Sequence, residues 1–288
     1  MKAIIATISA PKGHWVGDGF PVRSLFSYHG TDNQLISPFL LLDYAGPAEF
    51  TPHTHPRGVG SHPHRGFETV TLVYDGEVTH TDSTGGGGTI GPGDVQWMTA
   101  GDGILHKEYH SESFTKTGGR FEMVQLWVNL PAKDKTTPAH YQAITAAMIP
   151  TVTLPEQAGQ LRVIAGSVND TIGPATTYTP INVWDIQLQR GGVSTLQVPE
   201  HHTCLLVVLS GTVLVNDKKV VRDAELVIFD RSGTTVQLEA NNDAKLLVLT
   251  GEPINEPVVG YGPFVMNTTE QIHESITAFN QNKMGQML

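Results

Sequence analysis

A chain of 288 residues, 39% of them hydrophobic and 16% charged, has the makeup of a globular protein with room for one large or two ordinary domains. Its formal net charge of −10 argues against direct nucleic-acid binding, which needs a basic surface to displace counterions. No run of about 18 apolar residues is present to cross a membrane. The opening MKAIIATISAPKGHW reaches Pro11, Lys12 and His14 too early for a secretory signal, so the cytoplasm is the expected setting.

Thirty glycines, 18 prolines and many short β-branched runs predict an all-β protein with frequent turns. The single cysteine, Cys204, excludes an internal disulfide; within HTCLLVVL it reads as a small core residue. Taken in order, strands are expected over 2–8, 21–28 and 37–44. A loop over 45–60 follows, broken by Pro47, Pro52 and Pro56 and carrying His53 and His55. Beyond His62 and His64 comes a strand over 69–74, then an Asp75-Gly76 turn into 77–81, which reads as a hairpin. Gly85 to Gly88 form a flexible turn, without the lysine and following helix that a phosphate-cradling loop requires. Turns at 92–94 and 101–103 lead into strands over 95–99 and 104–109, and FEMVQLWVNL at 121–130 is a further strand.

Residues 131–160 contain Pro131, Pro138, Pro150 and Pro155, and the charged AKDKTT reads as solvent-facing. The β pattern then resumes over 161–165, 181–188, 192–197, 203–209, 212–216, 225–229, 234–239 and 245–250. Thr268 and Gln271 form a capping-box signal before a helix with Ile272, Ile276 and Phe279 on one face. The expected domains are therefore 1–135 and 161–288, with 136–160 as linker.

Chemistry concentrates between His62 and Glu108. His62 and His64 stand two apart, which in a strand puts both rings on one face; His106 and Glu108 repeat that spacing. Two such strands side by side would bring three imidazoles and a carboxylate to one point, a mixed nitrogen/oxygen metal site. His53 and His55 form a rival pair, but in a proline-broken loop rather than beside a strand. The two halves of the chain echo each other, TLVYDGEVTH at 71–80 against VVLSGTVLVN at 207–216 and GPGDVQWMTAGD against VRDAELVIFDRSG. In that register Gln197, Pro199, Gln237 and Glu239 stand where the first half has His62, His64, His106 and Glu108. His201 and His202 fall out of register, so the second half is expected to lack a metal.

HPHRGFETVTLVYDGE, GDVQWMTAGDGILHKE, FEMVQLWVNLPAKDK and YGPFVMNT resemble the pirin family of the cupin superfamily, over nearly the whole chain. The resemblance implies a bicupin: two antiparallel, jelly-roll-like β-barrels with a short C-terminal helix and iron in the N-terminal barrel. The family's three-histidine, one-glutamate set falls on His62, His64, His106 and Glu108. Glu68 matches the acid of the general cupin motif but is not a ligand in pirins. Proline rather than glycine stands six residues before His62, a departure from the general cupin spacing.

The activity implied is that of a quercetin 2,3-dioxygenase: a flavonol-like aromatic and O₂ are the substrates, Fe(II) is the metal (Ni, Co, Mn, Cu or Zn being alternatives), and Glu108 is also the general base. Phe67 and one of Trp97 and Met98 would wall the pocket, since strand alternation separates the latter two. The second implied reading is an iron- and redox-dependent regulatory module with a protein partner, as proposed for animal pirins. A cupin isomerase or a metal-stabilised structural barrel is a third. A monomer is the expected state, two barrels being able to cover each other's apolar faces.

Overall fold

Apolar residues alternating with polar ones, punctuated by glycines that accept positive φ, build an almost wholly β protein in the computed structural model, which describes residues 1–9 and 11–287. By its internal contacts the chain divides into two units: residues 12–28, 39–146 and 254–288 form one, and 1–11, 29–38 and 147–253 the other. This differs from the linear boundaries expected at 1–135 and 161–288. Strand Ile4–Ser9 pairs with Glu225–Phe229 in the second unit, because the edge of that sheet exposes backbone groups that need a partner. The C-terminal helix Thr269–Asn280 belongs to the first unit. The expected linker is not unstructured either: His140–Ile144 pairs with Val95–Thr99, and Thr151–Thr153 pairs with Gly159–Ala165.

Each unit sets a seven-stranded antiparallel sheet against a four-stranded one. These are cupin-like sandwiches rather than the closed barrels expected. In the second unit the core lies between the sheets, with Leu206, Val227 and Leu246 from the larger facing Val213, Val236 and Leu238 from the smaller. Cys204 is buried there, and burial pushes its thiol up to about 12, so it is an inert core residue.

In the first unit, Phe20, Val73, Phe121 and Met123 on the seven-stranded sheet pack against Val78 and Ile90 of the four-stranded one. Here the Asp75-Gly76 turn does not close a hairpin. Phe67–Asp75 pairs with Gly119–Asn129 and Val95–Thr99 in one sheet, whereas Val78–Asp82 pairs with Ile104–His110 and Gly87–Ile90 in the other. Gly76 supplies the positive φ of 83° that the corner needs. A turn dipeptide specifies such a bend but not whether the chain returns in its own sheet or crosses to the facing one; the core on both sides decides that.

The helix begins with the expected capping box, Thr268 and Gln271 bonding reciprocally. Its Ile272 packs with Phe264, Met266 and Met284 against Leu105, while Phe279 stays exposed. The charged 132–137 segment also departs from expectation, because Lys135 is fully buried. Its ammonium donates to the Gly66 carbonyl, Asn129 Oδ1 and the Val265 carbonyl, each at 2.8 Å. All three N–H groups are thus used, although burial pulls the amine down to about 7. Lys135→Met will leave these three oxygens without a donor and will cost about 3 kcal/mol of stability, read as a lowered midpoint in urea unfolding at neutral pH.

Candidate metal centre

Two adjacent strands of the four-stranded sheet build the site. Gly58–His64 and Ile104–His110 run antiparallel with His62 directly opposite His106 and His64 opposite Ile104, and a register shift between His106 and Glu108 places Glu108 against Val59. Alternation turns His106, Glu108 and His110 inward. The ring centroids of His62 lie 4.9 Å from His64 and 4.2 Å from His106, with His64 and His106 4.8 Å apart. One ring nitrogen from each of the three lies within 4.8 Å of the others.

The hydrogen bonding leaves one nitrogen of each ring available. His62 Nδ1 donates to the Gly60 carbonyl at 2.8 Å, which frees Nε2. His64 bonds the backbone of Pro263; proline offers only a carbonyl, so the ring donates, and its buried Nδ1 has no partner. His106 Nδ1 lies 3.3 Å from His80 Nδ1, and its buried Nε2 has no partner. An unpartnered buried polar atom costs stability, and two of them within one trio fit a divalent cation that would accept both lone pairs. Burial above all, then the neighbouring histidines, holds His64 and His106 well below the usual imidazole range. Both rings are therefore neutral at neutral pH, as ligands must be.

Glu108 stands at the side of this trio. It groups with His106 and His80, and its Oε1 lies 3.9 Å from His80 Nδ1. That oxygen accepts the Gln96 amide and, at 3.5 Å, the Thr71 hydroxyl. A half-open cavity of about 240 Å³ joins all four residues: His62, His64, His106 and Glu108 line one side, while Val16, Phe20, Val22 and Trp127 contribute an apolar wall. Larger cavities of about 670 and 790 Å³ lie in the second unit, but the metal-capable groups among the described residues are all in the first.

Other expectations shift. Phe67 meets the His64 ring edge-on at 5.1 Å and lies against Trp127 at 4.3 Å, rather than lining the cavity. Trp97 and Met98 are both core residues outside the cavity lining. His53 and His55 bond each other in their own exposed loop. Glu68 is buried beside Thr99, whose hydroxyl donates to it at 2.7 Å, and burial raises its carboxyl to about 7; it belongs to neither metal-capable group.

Sequence reasoning passed over Asp43, Gln96 and above all His80 with Asp82. Asp43 lines the cavity, its carboxyl raised by burial against a bond from Ser24. Val78, His80 and Asp82 alternate inward on Val78–Asp82, and that alternation was legible. Its register was not: Glu108 faces His80 and His106 faces Asp82. Burial acts to raise Asp82, but bonds from His80 and from the Thr84 hydroxyl and N–H outweigh it and hold the carboxylate at about 2.

Comparison with known proteins agrees with this architecture. The family model described as Pirin matches residues 19–128, and that of the pirin C-terminal cupin domain matches 183–285. A Pseudomonas aeruginosa protein provisionally named a quercetin 2,3-dioxygenase is 59% identical, with 98% of each chain covered. Pirin of Rattus norvegicus is 36% identical over 99% of this chain and 94% of its own. The crystal structure of a quercetin 2,3-dioxygenase from Acinetobacter baumannii superposes with a TM-score of 0.97 at 57% identity, covering 100% of both chains.

Two β-sandwiches in one chain, one of them holding a histidine cluster, define a bicupin. Within that class, the chain belongs to the pirin family.

Proposed function

We propose that this chain is an Fe(II)-dependent dioxygenase that cleaves flavonols such as quercetin, with His62, His64, His106 and Glu108 as the ligand set. The observation that supports this most is the meeting of three imidazoles, two with unpartnered nitrogens, and a carboxylate on one side of a cavity whose other side is apolar. The names carried by the Pseudomonas and Acinetobacter relatives point the same way. A ferrous ion at such a thiolate-free site would supply electrons to O₂ and a Lewis-acidic anchor for a substrate oxygen.

The chain's own part is to orient and deprotonate. Phe20, Val22 and Trp127 receive the flat aromatic body, and the ligand side receives its oxygen-bearing edge. Glu108 takes the proton of the flavonol 3-hydroxyl. Gln96 steers that carboxylate: its amide donates to one oxygen of Glu108 and so limits how the group can turn between metal and substrate. Ring cleavage then releases carbon monoxide.

The test is quercetin consumption under air by protein loaded anaerobically with Fe(II). Metal-stripped protein and His62→Ala run beside it. Metal-dependent loss of quercetin with matching O₂ uptake is expected. A tightly iron-loaded protein that leaves quercetin and O₂ untouched would overturn the reading in favour of a regulatory module.

A further inference from the structure

Two of the three clustered histidines have their tautomer set by a backbone carbonyl, which only accepts. His62 Nδ1 faces Gly60 and His64 bonds Pro263. His106 is different. Its Nδ1 faces another imidazole nitrogen, His80 Nδ1, at 3.3 Å. An imidazole can donate or accept, so this contact alone leaves the proton of His106 undetermined.

We propose that Asp82 determines it through His80: a carboxylate–imidazole–imidazole relay holds the proton of His106 on Nδ1 and keeps the Nε2 lone pair for the metal. The inference rests on the reading of His106 as a metal ligand. Asp82 Oδ1 accepts the Thr84 N–H at 2.8 Å, the Thr84 hydroxyl at 2.6 Å and the Gly86 N–H at 3.0 Å. Its Oδ2 lies 3.1 Å from His80 Nε2. A carboxylate has no hydrogen to give, so Nε2 of His80 carries a proton, and in the neutral ring Nδ1 keeps its lone pair. Two lone pairs facing at 3.3 Å would repel. His106 therefore places its own proton on Nδ1, and the lone pair falls on Nε2, the atom without a partner in the protein.

The surroundings hold this order in place. The side chains of His80 and Asp82 are 0% exposed, so water cannot substitute for either. Tyr141 stacks on the His80 ring at 5.0 Å and 16°. The strand register that sets His106 against Asp82 and Glu108 against His80 fixes the spacing of the relay. Outer partners of this kind select the tautomer and orientation of a ligand imidazole.

Asp82→Asn makes the idea sharp. The three donors on Oδ1 require the amide oxygen to stay there, which turns the NH₂ group toward His80. His80 must then accept at Nε2 and carry its proton on Nδ1. His106 must accept in turn, moving its proton to Nε2 and withdrawing the lone pair. Asp82→Ala imposes no such order: it removes the three turn bonds but leaves His80 able to take either tautomer.

The experiment measures cobalt(II) affinity by chelator competition and the melting temperature of the metal-free protein, for wild type and both variants. Relative to wild type, Asp82→Asn is expected to bind cobalt about 10- to 100-fold more weakly, with Asp82→Ala between the two. Melting should rank the other way, with Asp82→Ala lowest. A role confined to supporting the turn would rank the variants identically in both measurements and would overturn the relay, as would an Asp82→Asn protein that binds cobalt as wild type does.

Nitrogen-15 spectra of histidine-labelled metal-free protein separate this inference from the metal reading itself. Wild type that takes up no cobalt would sink the ligand assignment. The relay would still be upheld by a His106 proton on Nδ1 that moves to Nε2 in Asp82→Asn, and overturned by one already on Nε2 in wild type.

Discussion

His106→Ala will remove metal binding and quercetin turnover together, the largest effect expected of any single substitution in this chain. His106 is the residue shared by both metal-capable groups, and its pairing opposite His62 brings the two histidine-bearing strands together. Its loss leaves His62 and His64, neighbours on a single strand, with no imidazole facing them. Loss of an outer-shell partner already costs a metal site about 10- to 100-fold in affinity, and loss of a ligand must exceed that. The fold should survive, because alanine removes a buried ring with an unpartnered nitrogen and the register of the sheet is carried by backbone bonds. Thermal unfolding with and without Fe(II) checks both statements. Wild type should gain about 2.7 kcal/mol at a metal concentration of roughly 100 Kd, and the variant should gain nothing at that concentration. A variant that keeps one tightly held ion would show that His106 is not a ligand.

Glu108→Gln will separate holding the metal from using it. Glutamine preserves the length of the side chain and offers its carbonyl oxygen to the Gln96 amide that Glu108 now accepts. The NH₂ group is then left on the side where the carboxylate would take the substrate proton. Metal affinity should fall, since an anionic ligand becomes neutral, but less than in His106→Ala, because the side chain keeps an oxygen donor. Turnover by the fully loaded variant should fall about 10²- to 10⁴-fold, the usual contribution of a positioned base. Steady-state rates at saturating metal make the measurement. Full activity in Glu108→Gln would remove Glu108 from the role of base.

How much of this was legible beforehand depends on the range of the forces concerned. The i, i+2 spacing of His62/His64 and of His106/Glu108 follows from the two-residue repeat of a strand, and it was enough to anticipate that His62, His64 and His106 would meet. The capping box at Thr268 and Gln271 is equally local and forms as expected. His80 escaped notice because its importance lies in what stands across from it. Strand alternation turned it inward, but only the pairing of Val78–Asp82 with Ile104–His110 sets it against Glu108. Lys135 escaped for a related reason: a lysine in a charged, proline-flanked stretch reads as solvated, and only the meeting of Gly66, Asn129 and Val265 from distant parts of the chain supplies the three acceptors that allow its burial.

The sequence by itself determined the all-β class, the family, the strand faces and the cluster of histidines, because each is carried by spacing within a few residues or by motifs read directly. Tertiary structure alone decided that the Asp75-Gly76 corner crosses between sheets and that the first strand joins the second unit. It decided, too, that an aspartate two residues beyond His80 connects to His106 through a second imidazole. Those are matters of register and edge pairing, in which many arrangements satisfy the same local pattern. The choice among them is made by burying the core and pairing every backbone group at once.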